Sequence, residues 1–109
     1  MAKTNSDQLH GTLDMLVLKV LAPGAQHGYG IATRLEQLSA EVLQVEEGSL
    51  YPALYRMEQR GWIRSQWAVT ENNRRARFYT LTRTGRRQLE AETESWVRLT
   101  AAVQSVLSS

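Results

Sequence analysis

Apolar residues recur at helical spacing in three early stretches, alternate in a fourth, and return to helical spacing at the end of the chain. From Leu9 to Leu21 the positions Leu9, Leu13, Leu16, Val17, Val20 and Leu21 share one stripe, widened by Met15 and Leu18. That spacing predicts a first helix buried on most sides. Pro23 and Gly24 end it. After His27-Gly28-Tyr29-Gly30 a second helix is expected over about 29–38, with Ala32, Leu35 and Ile31 turned inward. Residues 39–48 read as a connector in which Leu43-Gln44-Val45 fits a very short strand.

The third stretch organises the rest. In EEGSLYPALYRMEQRGW, residues 46–62, the apolar positions Leu50, Ala53, Leu54 and Met57 fall at i, i+3, i+4 and i+7. A third helix over about 49–60 follows. Tyr51, Tyr55, Arg56 and Gln59 lie off that stripe and carry hydrogen-bonding tips. Ser49 fits an N-cap, Pro52 a first-turn proline, and Gly61 a C-terminal stop.

After Gly61 the period changes to two. Ile63, Ser65, Trp67 and Val69 alternate with Arg64, Gln66 and Ala68, the pattern of a half-buried strand. The polar run 70–75 contains Asn72-Asn73, which tolerate positive φ in a tight turn. Arg77 to Leu81 reads as the returning strand of a β-hairpin. Thr82 then fits the N-cap of a last helix reaching about Val106, with Gly85 costing some helicity in its first turns. Along this helix Leu89, Trp96 and Val103 are seven apart, Thr93, Thr100 and Leu107 form the offset row, and Leu99 and Val106 broaden the seam. A helix of about 25 residues exceeds what a domain of this size needs for its own core. Packing against a second copy and that copy's first helix is expected.

Composition narrows the reading. The 109 residues suit one domain with a small core. There is no cysteine, which excludes disulfides and thiolate metal sites and fits a reducing cytoplasm. No apolar run approaches the roughly 20 residues that span a bilayer, and MAKTNSDQ lacks the apolar centre of a signal peptide; residues 1–8 read as a flexible lead. The net charge is only +2, but it is unevenly spread. Between Ser49 and Arg87 stand nine arginines, no lysine, and only Glu58 and Glu71, a local charge of +7 that leaves −5 elsewhere. A basic block of this kind is a polyanion-binding face or a solvated arginine-rich surface. The forked guanidinium suits phosphates and base edges.

Enzyme chemistry finds little support. Gly48-Ser49 lacks the rest of a G-x-S-x-G elbow, and GYG lacks the lysine and glycine spacing of a phosphate loop. His10 and His27 are isolated, without metal-ligand spacing, and read as surface, cap or local hydrogen-bonding residues. Glu46 and Glu47 are adjacent and need not converge. No cofactor is expected.

Helix, helix, helix, hairpin, long helix is the order of a winged helix-turn-helix: mainly α, with a small β-hairpin. Residues 9–81 would form the DNA-binding domain and 82–109 a C-terminal dimerisation helix. In that geometry the third helix enters the major groove and the hairpin reaches the backbone or minor groove. Tyr51, Tyr55, Arg56 and Gln59 suit base edges, methyl groups and phosphates; Arg74, Arg75 and Arg77 suit insertion into a narrow groove or pairing with phosphates.

The stretches GSLYPALYRMEQRGWI, HGYGIATRL and ENNRRARFYTLTRTGRRQL resemble the recognition helix, second helix and wing of PadR-family transcriptional regulators. The match covers about residues 9–107, and SLYPAL, NNRRARFY and the late tryptophan resemble the family's short, acidobacterial-type group. The resemblance implies a cytoplasmic homodimer, held by its first and last helices, that binds an inverted-repeat operator in double-stranded DNA, usually as a repressor. By position Ser49, Tyr51, Pro52, Tyr55 and Arg56 would lie at the DNA, with Arg74, Arg75 and Arg77 as wing contacts. In some relatives a tryptophan of the last helix lines a small-molecule effector pocket at the dimer interface. Trp96 is the matching residue, among Leu89, Leu99 and Val103; simple dimer packing is its alternative role. The longer members carry an additional helical C-terminal region; no large dedicated effector domain is expected here, and an inducer would bind between subunits or there would be none. Trp62 and Trp67 are expected in the core or anchoring the wing. A winged-helix protein-interaction module and an architectural DNA binder are the rival readings.

Overall fold

The computed structural model describes residues 12–109. The lead, the expected helix start at Leu9, and His10 lie outside the described residues. The elements run α1 (Leu13–Leu21), β1 (Gln26–His27), α2 (Gly28–Leu38), α3 (Glu47–Gln59), β2 (Ile63–Val69), β3 (Arg75–Leu81) and α4 (Arg83–Leu107). The three strands form one antiparallel sheet in the order β1-β3-β2. This is a winged helix-turn-helix with a long last helix.

The apolar stripes define the core. Val17, Leu18 and Leu21 of α1, Ile31 and Leu35 of α2, and Leu50, Ala53, Leu54 and Met57 of α3 are buried against Ile63, Tyr79 and Leu81 of the sheet. The start of α4 belongs to this body as well. Thr82 caps it, its hydroxyl accepting from the Gly85 N–H at 3.0 Å and donating to the Gly61 carbonyl at 2.6 Å. Gly85 is buried, and a Cβ there would collide with the Trp62 carbonyl. Glycine is therefore required at this position by close backbone approach, beyond the small helicity cost read from the sequence.

Both helix ends of the helix-turn-helix close with the same pair of bonds. At α3 the Gly61 N–H donates to the Glu58 carbonyl and the Trp62 N–H to the Met57 carbonyl, both at 3.0 Å, with Gly61 at φ +78. This is a Schellman motif with its expected glycine. At α2 the Ala40 N–H donates to Gln37 at 3.2 Å and the Glu41 N–H to Glu36 at 2.8 Å. Here the left-handed positions are Ala40 (φ 52) and Glu41 (φ 66), which L residues adopt at a cost.

Four local expectations are corrected. The third strand is β1, whose Gln26 and His27 pair with Tyr79 and Phe78. Leu43-Gln44-Val45 is not a strand: only Leu43 makes a bridge, and Leu43 and Val45 pack against the core from a loop. Helix α3 starts two residues early, so its N-cap is Glu46, not Ser49. Pro52 consequently lies in the second turn, where it cannot donate to the Gly48 carbonyl as an ordinary residue would. Finally, the burial alternation in β2 stops at Ser65: Trp67 and Val69 are exposed, because the hairpin runs on past the helix that covers its base.

Candidate nucleic-acid interface

Helix α3 turns its unburied side outward. Tyr55 is 67% exposed, with Pro52, Arg56 and Gln59 also exposed and Ser49 half-buried. Tyr51 lies at the flank nearest α2. A Cβ on Gly28 would come within 2.5 Å of the Tyr51 Oη, so the absence of a side chain there lets the phenol lie across the start of α2. The same groove, about 280 Å³, is lined by Tyr29, Thr33, Gln44, Glu47 and Tyr51. Tyr29 is 75% exposed. Sequence reasoning passed over it, although an aromatic residue between two glycines was the available signal. His27 caps α2: its Nδ1 accepts from the Gly30 N–H at 3.0 Å.

On the opposite flank Arg56 is engaged. Its guanidinium donates to the Asp14 carboxylate of α1 at 2.7 Å, and the arginine side chain remains 46% exposed. Of the residues assigned to the recognition helix, then, Tyr55, Tyr51 and Pro52 are open to solvent and Arg56 is partly held.

The wing is tied to α3 by a short relay. The Ser65 hydroxyl donates to the Glu58 carboxylate at 2.7 Å, and the Arg77 Nε donates to the Ser65 hydroxyl at 2.9 Å. Arg77 thus points along the hairpin rather than free into solvent. Arg75 and Arg77 both lie over the Trp67 ring, at 5.3 and 5.9 Å from its centroid, within cation–π range. Trp67 does anchor wing side chains, but it is not a core residue. Trp62 packs partly buried on the core under Arg60. At the tip, Asn73 adopts φ 59, and the Thr70 hydroxyl accepts from the Arg74 N–H at 3.2 Å, which fixes the turn that presents Arg74. Tyr79, beneath the wing, has its phenol held above the usual tyrosine value, chiefly by burial; Arg77 opposes that shift, and Glu58 and Tyr51 add to it.

A second feature lies far from α3. Trp96, Leu99, Val103, Val106 and Leu107 leave an apolar stripe open along α4. Leu89 sits at its base, packed on the core. Between α1 and α4 an open groove of about 590 Å³ is lined by Met15, Leu16, Leu89, Thr93 and Trp96, with Lys19, Glu90 and Glu94 at its polar edge. Among the described residues no group of acidic, histidine or cysteine side chains could hold a metal ion, and no helix is long and apolar enough to cross a membrane.

The fold, the polar outer face of α3 and the arginine-bearing wing define a winged-helix regulator. Residues 17–91 match the transcriptional regulator PadR-like family, and the chain belongs to that family, whose members are transcriptional regulators rather than enzymes. A PadR-like transcriptional regulator from Bacillus cereus is 28% identical, with a TM-score of 0.79, covering 93% of this chain and 96% of that one. A transcriptional regulator from Clostridium thermocellum has a TM-score of 0.82 at 26% identity, covering 91% and 96%. Bacillus subtilis PadR, solved in complex with operator DNA, has a TM-score of 0.66 at 22% identity over 74% of this chain and 46% of that one, a likeness of fold. Among curated relatives, a 37.1 kDa protein of transposon TN4556 from Streptomyces fradiae is 42% identical over 89 residues. The match covers 82% of this chain and spans only 24% of that relative's length.

Proposed function

We propose that the chain is a homodimeric, sequence-specific DNA-binding repressor that reads an inverted repeat. The observation that carries this is the outer face of α3. Tyr51 and Tyr55 stand exposed on a helix whose other side is the domain core, and the wing is fastened beside it through Ser65 and Glu58. Ser49, Tyr51, Pro52, Tyr55 and Arg56 would meet base edges and the flanking backbone, and Arg74, Arg75 and Arg77 would add phosphate or minor-groove contacts. Bacillus subtilis PadR, which shares the fold, was captured with operator DNA.

The open stripe of α4 would pack against a second copy, as exposed apolar patches on small domains commonly do. The groove beside Trp96 would then sit at the dimer interface, where a small hydrophobic or aromatic effector could bind and alter the distance between the two recognition helices. That effector role rests on the apolar lining at Met15, Leu16, Leu89 and Trp96.

Selection from a randomised duplex pool at near-physiological salt tests the reading. An inverted repeat with half-sites about 10 base pairs apart is expected. Binding without sequence preference would favour an architectural role. No binding above background would point to an acidic protein as the partner of the same face.

A further inference from the structure

The register of the hairpin places one tryptophan where the core reading of the sequence did not. Ile63 pairs with Leu81, Ser65 with Tyr79, Trp67 with Arg77 and Val69 with Arg75. Side chains alternate along a strand, so these eight residues share one face of the ribbon. At its base that face is the core: Ile63, Tyr79 and Leu81 are buried. One step further out, Ser65 bonds to Glu58 of α3. Beyond the helix the same face continues uncovered as Trp67 and Val69, 56% and 61% exposed, opposite Arg77 and Arg75. The exposed wing face therefore begins one step beyond the residue that bonds to α3.

We infer that Trp67 is a DNA-contacting residue, its indole packing against deoxyribose and base edges in the groove while Arg75 and Arg77 meet the adjoining phosphates. This rests on the DNA-binding reading and names a contact that reading does not include. An apolar side chain left half in water gains by burial on association. Apolar wedges beside arginines are a recurrent means of gripping a groove. The occupant is a polyanion by charge: the segment from Ile63 to Leu81 carries four arginines and one glutamate. A hydrophobic protein surface would match Trp67 and Val69 but not the two guanidiniums stacked on the indole.

The competing role is positioning. Trp67 could serve only to hold Arg75 and Arg77, at 5.3 and 5.9 Å from its ring, in place for phosphates. Salt dependence separates the two roles. Affinity for the selected duplex, or for a mixed-sequence duplex where selection yields none, is measured against salt for the wild type, Trp67→Ala, Arg75→Ala and Arg77→Ala. Each arginine variant is expected to lower the salt slope by about 1. Trp67→Ala is expected to weaken binding by about tenfold or more, as aromatic anchors at interfaces do, with the slope retained. A slope that falls with Trp67→Ala as it does with the arginine variants makes Trp67 a positioning residue and overturns the contact. Unchanged affinity overturns it too. Absence of salt-dependent duplex binding by the wild type overturns the DNA reading itself, and this inference with it. A direct optical test uses Trp62→Phe/Trp96→Phe, which leaves Trp67 as the sole tryptophan. Acrylamide quenching of its emission should fall when duplex is added, and unaltered quenching in a bound complex would exclude burial at the DNA.

Discussion

Arg56 of α3 and Asp14 of α1 are joined by a 2.7 Å ion pair, so a side chain proposed to meet DNA is held by a carboxylate of its own chain. Its neighbour Met15 lines the groove beneath Trp96. Exposed pairs of this kind are worth about 0–1 kcal/mol, so the arginine can exchange Asp14 for a phosphate at little cost. Removing the carboxylate also removes a negative charge beside the helix proposed to face DNA. Asp14→Asn should therefore tighten operator binding by up to about fivefold and leave the melting temperature nearly unchanged, while Arg56→Ala should weaken binding. Titration of both variants by fluorescence anisotropy checks this. Weaker binding by Asp14→Asn would instead mean that Asp14 holds Arg56 in its productive orientation.

Gly28 and Tyr51 make a second testable pair. The phenol occupies the space that a Gly28 side chain would fill, at 2.5 Å from the Cβ position. The end of a tyrosine can swing away, so Gly28→Ala should fold with a stability change within about 1 kcal/mol. It should nevertheless displace the Tyr51 ring. Gly28→Ala and Tyr51→Ala are both expected to reduce specific binding more than binding to unrelated duplex. Equal losses on the two duplexes would remove the specificity role from Tyr51.

How much of this was legible in the sequence follows from the range of each signal. Among the described residues the core stripes of α1, α2 and α3, the Thr82 cap, the Gly61 stop and the turn with Asn73 at positive φ are local patterns, and each falls where the residues placed it. Strand β1 was illegible because two residues carry no period; only pairing with β3 makes them a strand. The exposure of Trp67 was illegible for a related reason. Alternation gives the face of a strand but not where the covering helix ends. The engagement of Arg56 by Asp14, 42 positions apart in the chain, depends on how α1 packs on α3. Tyr29 was the one readable omission.

The second left-handed helix end offers a stability test. Ala40 stands at φ 52 in the position where α3 uses glycine. The left-handed conformation costs an L residue about 1–2 kcal/mol, and the extra freedom of unfolded glycine costs about 0.5–1 kcal/mol. Ala40→Gly should thus raise stability by about 0.5–1 kcal/mol, seen as a higher urea midpoint with an unchanged m-value. A lowered midpoint would show that the Ala40 methyl contributes packing that outweighs the backbone strain.

Gly85→Ala should act in the opposite sense to helix propensity. In an exposed helix the change gains about 1 kcal/mol. Here the new methyl would run into the Trp62 carbonyl, a backbone atom that cannot rotate away. Overpacking of this kind typically costs about 1–3 kcal/mol, so net destabilisation is expected by thermal melting. A stabilised variant would mean that the start of α4 can lift from the sheet without loss.

The stripe on α4 makes the last prediction. Leu99 and Val103 are 55% and 48% exposed in the single chain, so charging them removes no packing from the monomer. Leu99→Glu/Val103→Glu should keep the helical circular dichroism of the wild type, since both residues stay on a solvated surface. In a dimer the same substitutions would set like charges against the partner's helix in an apolar seam. Sedimentation is expected to show a monomer. Two linked half-sites gain about 100-fold or more in avidity over one, so binding to the inverted repeat should fall by that order while binding to a single half-site is retained. A variant that still sediments as a dimer would place the contact elsewhere on the molecule. The groove beside Trp96 would then be a feature of one chain, open to solvent, with no second subunit to close it.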